Sequence, residues 1–233
     1  MTIKYHENII QGSEEWFQLR CGIITASEMK NVINAELNPV KPTKKESDRG
    51  KDITHLYELL SQRITGYVEP SYVSDDMMRG HDDEIYARAE YSKHYAPVTE
   101  MGFITNDKWG FKIGFSPDGL VGEDGLIECK SRRQKYQVET ILMGEPPPEY
   151  MIQIQTGLLV AERKWCDFIS YSGGLHMATI RVEVDEKTQK AIVDAATDFE
   201  NRLQNQMKRY VEALQSKARL IPTERRIEQE MHL

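Results

Sequence analysis

The chain has 233 residues, 39% hydrophobic and 29% charged, which is typical of one globular α/β domain over residues 1–233 with a sizeable core. Its formal net charge of −7 argues against a protein that coats DNA non-specifically, although basic residues could still gather on one face. No apolar run or signal-peptide pattern indicates a membrane protein. The three dispersed cysteines exclude zinc and iron–sulfur sites and predict a reduced, cytoplasmic protein.

The first third of the chain predicts helices separated by a basic loop. Ser13 is expected to cap a helix that runs to Arg20. Thr25 and Glu28 form a capping box, which predicts a second helix through Ile33. Residues 34–51 combine prolines with a run of lysines and arginines. They predict a loop that either contacts DNA or is simply solvated, and the solvated state is favoured.

The rest of the chain predicts an alternation of strands and helices that ends in a long amphipathic helix. A peripheral tail is expected over residues 216–233. The predicted elements are helices over 52–65 and 82–95, strands over 100–105, 110–117 and 125–131, a helix over 150–162, strands over 165–172 and 175–184, and a helix over 186–216.

The middle of the chain combines an acidic turn with an acid and a lysine on the following strand. Asp118 lies in a Pro-Asp-Gly turn after an alternating apolar strand, and Glu128 and Lys130 follow ten and twelve residues later. On a strand, side chains two residues apart share one face. The pattern therefore predicts that Glu128 and Lys130 lie side by side near Asp118.

These residue types in this arrangement suit phosphodiester hydrolysis. Mg²⁺ takes one or two protein carboxylates plus substrate oxygens, so Asp118, Glu128 and the backbone carbonyl of Cys129 are its predicted ligands. Lys130 would orient or deprotonate the attacking water and stabilise the transition state. A solvated surface hairpin explains the same spacing, and the spacing alone leaves both interpretations open.

Three further groups have a functional and a structural interpretation. Arg20, Thr25 and Ser27 lie close to a predicted helix start and could bind a phosphate, although spacing alone favours a cap and a surface ion pair. Glu84 could be a third carboxylate or a favourable charge at a helix start. Gln153 and Gln155 lie two apart on a helix, so at most one is expected to face a site.

Taken together, these segments resemble the lambda-exonuclease type of phage recombination nuclease, within the PD-(D/E)xK superfamily. The resemblance covers roughly residues 13–160, and matching blocks in matching order are more specific than the Glu-x-Lys pair alone. The matching blocks are residues 16–28, 80–84, 116–120, 128–130 and 153–155.

The resemblance implies a restriction-endonuclease-like α/β core, with a central mixed β-sheet flanked by helices. It implies Mg²⁺-dependent 5′→3′ digestion of one strand of duplex DNA, which releases mononucleotides and leaves a 3′ overhang, with Mn²⁺ expected to substitute. It also implies a homotrimeric ring, a single-strand-annealing partner, and a phage or prophage protein in the bacterial cytoplasm. A ring also suits an acidic chain, because a basic channel could lie inside an acidic exterior.

Roles for individual residues also follow from the resemblance. The acids that match Asp118 and Glu128 bind metal in such enzymes, the acid that matches Glu84 assists, and the lysine that matches Lys130 activates water. The glutamine that matches Gln155 helps order the site. The remaining matched positions, Arg20, Thr25 and Ser27, correspond to residues that hold the 5′-phosphate.

The chain departs from the lambda enzyme after Lys130, where Arg132, Arg133 or Lys135 could each contact phosphate. Two other functions stay open. One is a structure-specific or restriction-type endonuclease on the same core, and the phosphate-binding residues argue against it because they favour DNA ends. The other is a DNA-end-binding recombination module without catalysis, which would have no need for the carboxylate pair and the lysine.

Overall fold

The structure is a computed structural model that describes residues 2–33, 51–70, 75–216 and 219–225. The basic loop predicted over residues 34–51 lies outside the described residues except for Lys51. The helices are α1 (Glu14–Arg20), α2 (Lys51–Thr65), α3 (Asp75–His94), α4 (Gln134–Met143), α5 (Pro148–Ala161) and α6 (Glu186–Leu214), with a short 3-10 helix at Ala26–Asn31. The strands are β1 (Ile3–His6), β2 (Ile24–Thr25), β3 (Phe103–Asn106), β4 (Ile113–Phe115), β5 (Gly119–Val121), β6 (Gly125–Ser131), β7 (Trp165–Tyr171) and β8 (Ala178–Glu183).

The strands form two mixed four-stranded sheets, so the predicted fold class is confirmed and the predicted central sheet is divided in two. One sheet has the order β1-β3-β4-β2 and the other has the order β5-β6-β7-β8. Each sheet contains one parallel pair, β2 with β4 and β6 with β7, while its other pairs are antiparallel. The chain passes from the first sheet to the second between β4 and β5, and the predicted acidic turn lies at this crossing.

Strand β6 is central in its sheet, and this explains its nearly continuous burial. Its first five residues are buried, and its parallel pairing with β7 sets Glu128 beside the fully buried Phe168. Helix α5 is apolar on most of its surface because it packs on both sheets and on α6. Glu128 and Gln153 therefore extend from largely buried elements.

Most predicted elements are confirmed, and the differences have local causes. Helix α3 begins at Asp75, so the predicted start at residue 82 is too late and Gly80 lies inside the helix. Helix α4 was not predicted, because its two buried residues, Gln137 and Thr140, are polar and leave no apolar periodicity to detect. The capping box is also wrong. Thr25 precedes a 3-10 helix and makes no side-chain capping bond within the described residues.

None of the described helices has both the length and the apolar character that crossing a membrane would require.

Candidate active site

The hairpin of β5 and β6 brings the predicted trio together. Asp118 immediately precedes β5, and its Oδ2 accepts a 2.6 Å hydrogen bond from the backbone N–H of Cys129 on β6. This bond ties the acidic turn to the strand that carries Glu128 and Lys130. The Cys129 side chain is buried on the opposite face of the strand, as the strand alternation predicts.

Glu128 is the buried centre of the site. Only 1% of the residue is exposed, and its Oε1 is 2.5 Å from Lys130 Nζ and 2.6 Å from Gln153 Nε2. Its second oxygen, Oε2, is buried and has no hydrogen-bond partner among the described residues. A buried carboxylate oxygen without a donor is costly. The oxygen is therefore suited to a cation that is not part of the chain.

The glutamine beside Glu128 is Gln153, whereas the side chain of Gln155, which the resemblance assigns to the site, bonds elsewhere. The Gln155 amide donates to the Glu183 carbonyl, and its oxygen accepts from the backbone N–H of Asp185, which ties α5 to the start of α6. Residues two apart on a helix point in different directions. The sequence predicts that only one of the two glutamines can face the site. Tertiary packing decides which side of α5 faces Glu128, and the sequence pattern does not show it.

Glu84 approaches the other two carboxylates from α3. Its Oε1 is 3.3 Å from Arg88 one turn later, and Arg88 also donates a 2.9 Å hydrogen bond to the backbone carbonyl of Asp118. Arg88 thus fixes α3 against the acidic turn. A role for this arginine was not predicted, although its spacing of four residues from Glu84 is a detectable signal.

Burial and mutual repulsion shift the titration of these acids. Burial, followed by the charges of Glu128 and Glu84, raises the pKa of Asp118 well above its ordinary range. Burial also raises the pKa of Glu84, with a further contribution from the charge of Glu128. These carboxylates therefore share an excess of negative charge, which a cation would relieve.

Lys130 is held in its charged form. Burial alone would lower its pKa, but the charges of Glu128 and Asp118 outweigh burial, and the pKa is raised above its ordinary value. The side chain is 23% exposed, so the ammonium can still reach a bound molecule.

Across the described part of the chain, no three His, Cys, Asp or Glu side chains are placed to hold a metal ion together. Two of the oxygen atoms that could bind a metal already accept hydrogen bonds: Glu128 Oε1 from the Lys130 ammonium, and Asp118 Oδ2 from the Cys129 N–H. The donor chemistry nevertheless fits a hard divalent cation, because it consists of carboxylates and includes the unpartnered oxygen of Glu128.

Arg20, Thr25 and Ser27 converge, as the phosphate-pocket prediction requires. Arg20 Nη2 is 3.5 Å from the Thr25 hydroxyl and 3.4 Å from the Ser27 hydroxyl, and the two hydroxyls are 3.4 Å apart. Burial lowers the pKa of Arg20 to about 10, so the guanidinium remains positive at neutral pH. Arg20 forms no salt bridge with an acid among the described residues, so this cation with its two hydroxyls is suited to an anion.

Two residues that the sequence analysis did not assign complete this cluster. The Trp16 ring lies 4.1 Å from the Arg20 guanidinium, and its Nε1 donates a 2.9 Å hydrogen bond to the Ser116 hydroxyl. Arg20 Nη1 also lies 3.3 Å from that hydroxyl. Arg20, Thr25 and Ser27 form a basic cluster, and Glu84, Asp118 and Glu128 form an acidic cluster. Ser116 is two residues before Asp118, so it connects the basic cluster directly to the acidic cluster. About a hundred residues separate it from Arg20 in the chain, so spacing could not show the contact.

Of the three cations after Lys130, Arg132 is the one whose described contacts lie beside the site. Its Nη1 donates a 2.9 Å hydrogen bond to the Tyr150 hydroxyl and lies 3.6 Å from Glu149. Lys135 instead lies over the Tyr136 ring on α4, and Arg133 precedes that helix as its N-cap.

Comparison with known proteins identifies one family model and several solved structures. The model of the YqaJ-like viral recombinase domain matches residues 15–164, which include every residue of both clusters. No curated protein matches the chain.

The structure is similar to the crystal structure of an alkaline exonuclease, LHK-Exo, from Laribacter hongkongensis. The two share 34% sequence identity over 87% of this chain and 98% of the other, with a TM-score of 0.74. The same enzyme in complex with dAMP gives 35% identity, the same coverage and the same TM-score. A phage-related exonuclease from Haemophilus somnus 129PT shares the fold, with 13% identity, coverage of 79% and 96%, and a TM-score of 0.52.

Proposed function

Because the chain belongs to the YqaJ-like viral recombinase family and is 34% identical to an alkaline exonuclease of the same fold, we infer that it is a DNA exonuclease. We propose further that it is Mg²⁺-dependent and digests the 5′-ended strand of duplex DNA. The products would be mononucleotides and a duplex with a 3′ single-stranded overhang, the substrate for single-strand annealing.

The observation that carries this proposal is the connection between the two clusters. Ser116 contacts Arg20 in the basic cluster, and Asp118, two residues later, belongs to the acidic one. An anion held by Arg20, Thr25 and Ser27 would therefore lie close to the carboxylates. A terminal 5′-phosphate is such an anion, and binding it there favours cleavage at a DNA end over cleavage within a duplex.

A divalent cation would be held by Asp118 and Glu128, with Glu84 and the backbone carbonyl of Cys129 as further donors. The unpartnered Oε2 of Glu128 and the shared negative charge of the carboxylates support this assignment. When bound, Mg²⁺ or Mn²⁺ would neutralise charge on the phosphate and make a water molecule more acidic.

The chain's own residues supply the remaining requirements of hydrolysis. Lys130 is an ammonium and can donate to a phosphate oxygen as negative charge develops there. Gln153 holds the Glu128 carboxylate at 2.6 Å, so the acid keeps its orientation when Lys130 turns toward the substrate. Arg88 fixes the turn that carries Asp118.

The complex of LHK-Exo with dAMP supports mononucleotides as products, because that enzyme binds a single nucleotide. A homotrimeric assembly, a single-strand-annealing partner and a place in the cytoplasm of a bacterial host remain parts of the proposal. Each agrees with a phage-type recombination nuclease, and each is open to direct measurement.

Linear duplexes labelled at either the 5′ or the 3′ end, with and without a 5′-phosphate, test the proposal in one assay. We expect early release of the 5′ label as mononucleotide, faster digestion of phosphorylated ends, and retention of a covalently closed circular duplex. Early release of the 3′ label would contradict the polarity. Ready cutting of the closed circle would favour an endonuclease instead.

A further inference from the structure

Tyr150 contacts two cations at the edge of the site, although nothing in the sequence marks it as a site residue. Its ring centroid lies 5.4 Å from Lys130 Nζ and 5.6 Å from the Arg132 guanidinium carbon. Its hydroxyl accepts the 2.9 Å hydrogen bond from Arg132. One side chain thus touches both Lys130 and the next cation on the same edge of β6.

The position of this ring is fixed by stacking on a neighbouring aromatic ring and by its place on α5. The ring stacks on the buried Phe168 of β7 with a centroid separation of 5.5 Å and an interplanar angle of 27°. Tyr150 lies in the first turn of α5, which begins at Pro148, and Gln153 follows one turn later to bond Glu128. The same face of α5 therefore presents the ring to Lys130 and the amide to Glu128.

A second contact would position Lys130, because its side chain is long and Glu128 is its one salt-bridge partner among the described residues. Glu128 binds the ammonium from one direction. The electron-rich face of an aromatic ring attracts a cation and leaves its N–H groups free to donate elsewhere. A carboxylate, in contrast, would compete with a phosphate for the same protons.

We propose that Tyr150 is a positioning residue that holds Lys130 through its ring and Arg132 through its hydroxyl. This inference rests on the proposed nuclease function, and it assigns Tyr150 no contact with the reacting atoms. Tyr150 would affect turnover through the face of its ring, because that face contacts Lys130.

Steady-state digestion of a 5′-phosphorylated linear duplex with Mg²⁺ tests this role in the full-length chain. We expect Tyr150→Phe to retain kcat within about threefold and Tyr150→Leu to lower kcat about tenfold, because only the second removes the ring face. Tyr5→Leu is the matched control. The Tyr5 hydroxyl also bonds α5, at the carbonyl of Ala161 at the far end of the helix, so this variant should lose stability but keep kcat.

Stepwise fluorination of a phenylalanine at position 150 keeps the shape of the ring and weakens its negative face, so it avoids a folding defect. We expect kcat to fall progressively through the series while KM and the melting temperature stay constant. A flat kcat series with an active wild-type protein would overturn the role of Tyr150 alone. An equal kcat loss in Tyr150→Leu and Tyr5→Leu would also overturn it. A wild-type protein that leaves every DNA end intact would overturn the proposed function, and the role of Tyr150 with it.

Discussion

Lys130 is the cation closest to the buried acid of the site, and its state limits what it can do. It is held as an ammonium by Glu128 and Asp118. An ammonium is suited to donating a proton or stabilising charge, and it cannot act as a base until it loses its proton. We therefore propose that Lys130 stabilises developing charge.

Replacing Lys130 with alanine should abolish cleavage and spare DNA binding. We expect kcat to fall by about 10²- to 10⁴-fold, because the variant lacks the group that meets developing charge. Binding to a labelled duplex end, measured with Ca²⁺ in place of Mg²⁺, should change little. Lys164→Ala is the control, because Lys164 is 74% exposed and pairs with Asp124 at the opposite end of β6. Turnover of Lys130→Ala close to the wild-type rate would remove this lysine from the mechanism.

Arg20 is the residue that we propose distinguishes one kind of DNA end from another. The guanidinium is fixed over Trp16 and near three hydroxyls, those of Thr25, Ser27 and Ser116. This arrangement orients the donors before any ligand binds, which lowers the entropic cost of binding a phosphate.

We expect Arg20→Ala to erase the preference for 5′-phosphorylated over 5′-hydroxyl ends. The wild-type preference should reach about tenfold or more, since one charge-assisted hydrogen bond contributes about 1.5–3 kcal/mol. The measurement is the ratio of digestion rates on the two substrates. Arg209→Ala, on the exposed side of α6, is the control and should keep the ratio. An unchanged ratio in Arg20→Ala would return Arg20 to a structural role.

At the scale of elements, a contact between helices supports the loop around Gly22, which lies between Arg20 and Thr25 of the basic cluster. Arg63 at the end of α2 donates two hydrogen bonds of 2.7 Å to Glu200 on α6 and a third of 2.7 Å to the carbonyl of Gly22. Gly22 has a φ of +71°, and a Cβ there would lie 2.6 Å from Arg63 Cγ. The contact therefore holds the residues between Arg20 and Thr25 in place, and it requires glycine.

This contact makes part of the stability depend on pH. Burial opposes the charge of Glu200, but the hydrogen bonds and charge of Arg63 outweigh burial and lower its pKa below the ordinary 4.5. A carboxyl with a lowered folded pKa stabilises the fold above its unfolded pKa, and this contribution is lost as pH falls through the folded value. We expect Glu200→Gln to cost about 1–3 kcal/mol at pH 7 and much less at acid pH.

Denaturant unfolding of both proteins between pH 3 and pH 7, a range chosen to span the ordinary glutamate pKa, measures this dependence. The exposed Glu212→Gln on the same helix is the control and should match the wild type throughout. A difference between Glu200→Gln and the wild type that stays constant down to the lowest pH would show that the Arg63 contact does not act through the charge of Glu200.

The elements also show which parts of the fold the sequence could predict. Helices α2, α5 and α6 and strands β6 and β7 were predicted within a few residues, because apolar periodicity marks them. The resemblance indicates Gln155, whereas the structure places Gln153 beside Glu128, because the choice depends on how α5 rotates against β6. The Thr25 capping box was wrong because the structure places the Thr25 hydroxyl beside Arg20, a tertiary contact.

At the scale of the whole molecule, two clusters of opposite charge lie on either side of the crossing between the two sheets. The acidic cluster is anchored by β6 and α3, and the basic cluster is anchored by α1 and β2. Residues 116–118 form the crossing and contribute to both. The fold thereby brings two distant stretches of the sequence together at one candidate site. The chain as a whole keeps its net charge of −7.

The acidic cluster keeps a net negative charge beside Lys130 and Arg88, and this charge predicts how the whole molecule responds to the choice of divalent ion. DNA phosphates are repelled by Asp118, Glu128 and Glu84 unless a cation intervenes, so we expect end binding to weaken at least tenfold when EDTA replaces Mg²⁺. Ca²⁺ should restore binding but support little hydrolysis, because it accepts looser, more variable coordination than Mg²⁺. Equilibrium binding and digestion of one labelled duplex under the three conditions separate these effects, with Asp194→Asn, an exposed acid on α6, as the control.

Brisk digestion in EDTA would contradict a metal-dependent reaction. Equal binding in EDTA and Ca²⁺ would show that the carboxylates do not repel the DNA end, and Asp118 and Glu128 would then lose their proposed role as cation ligands.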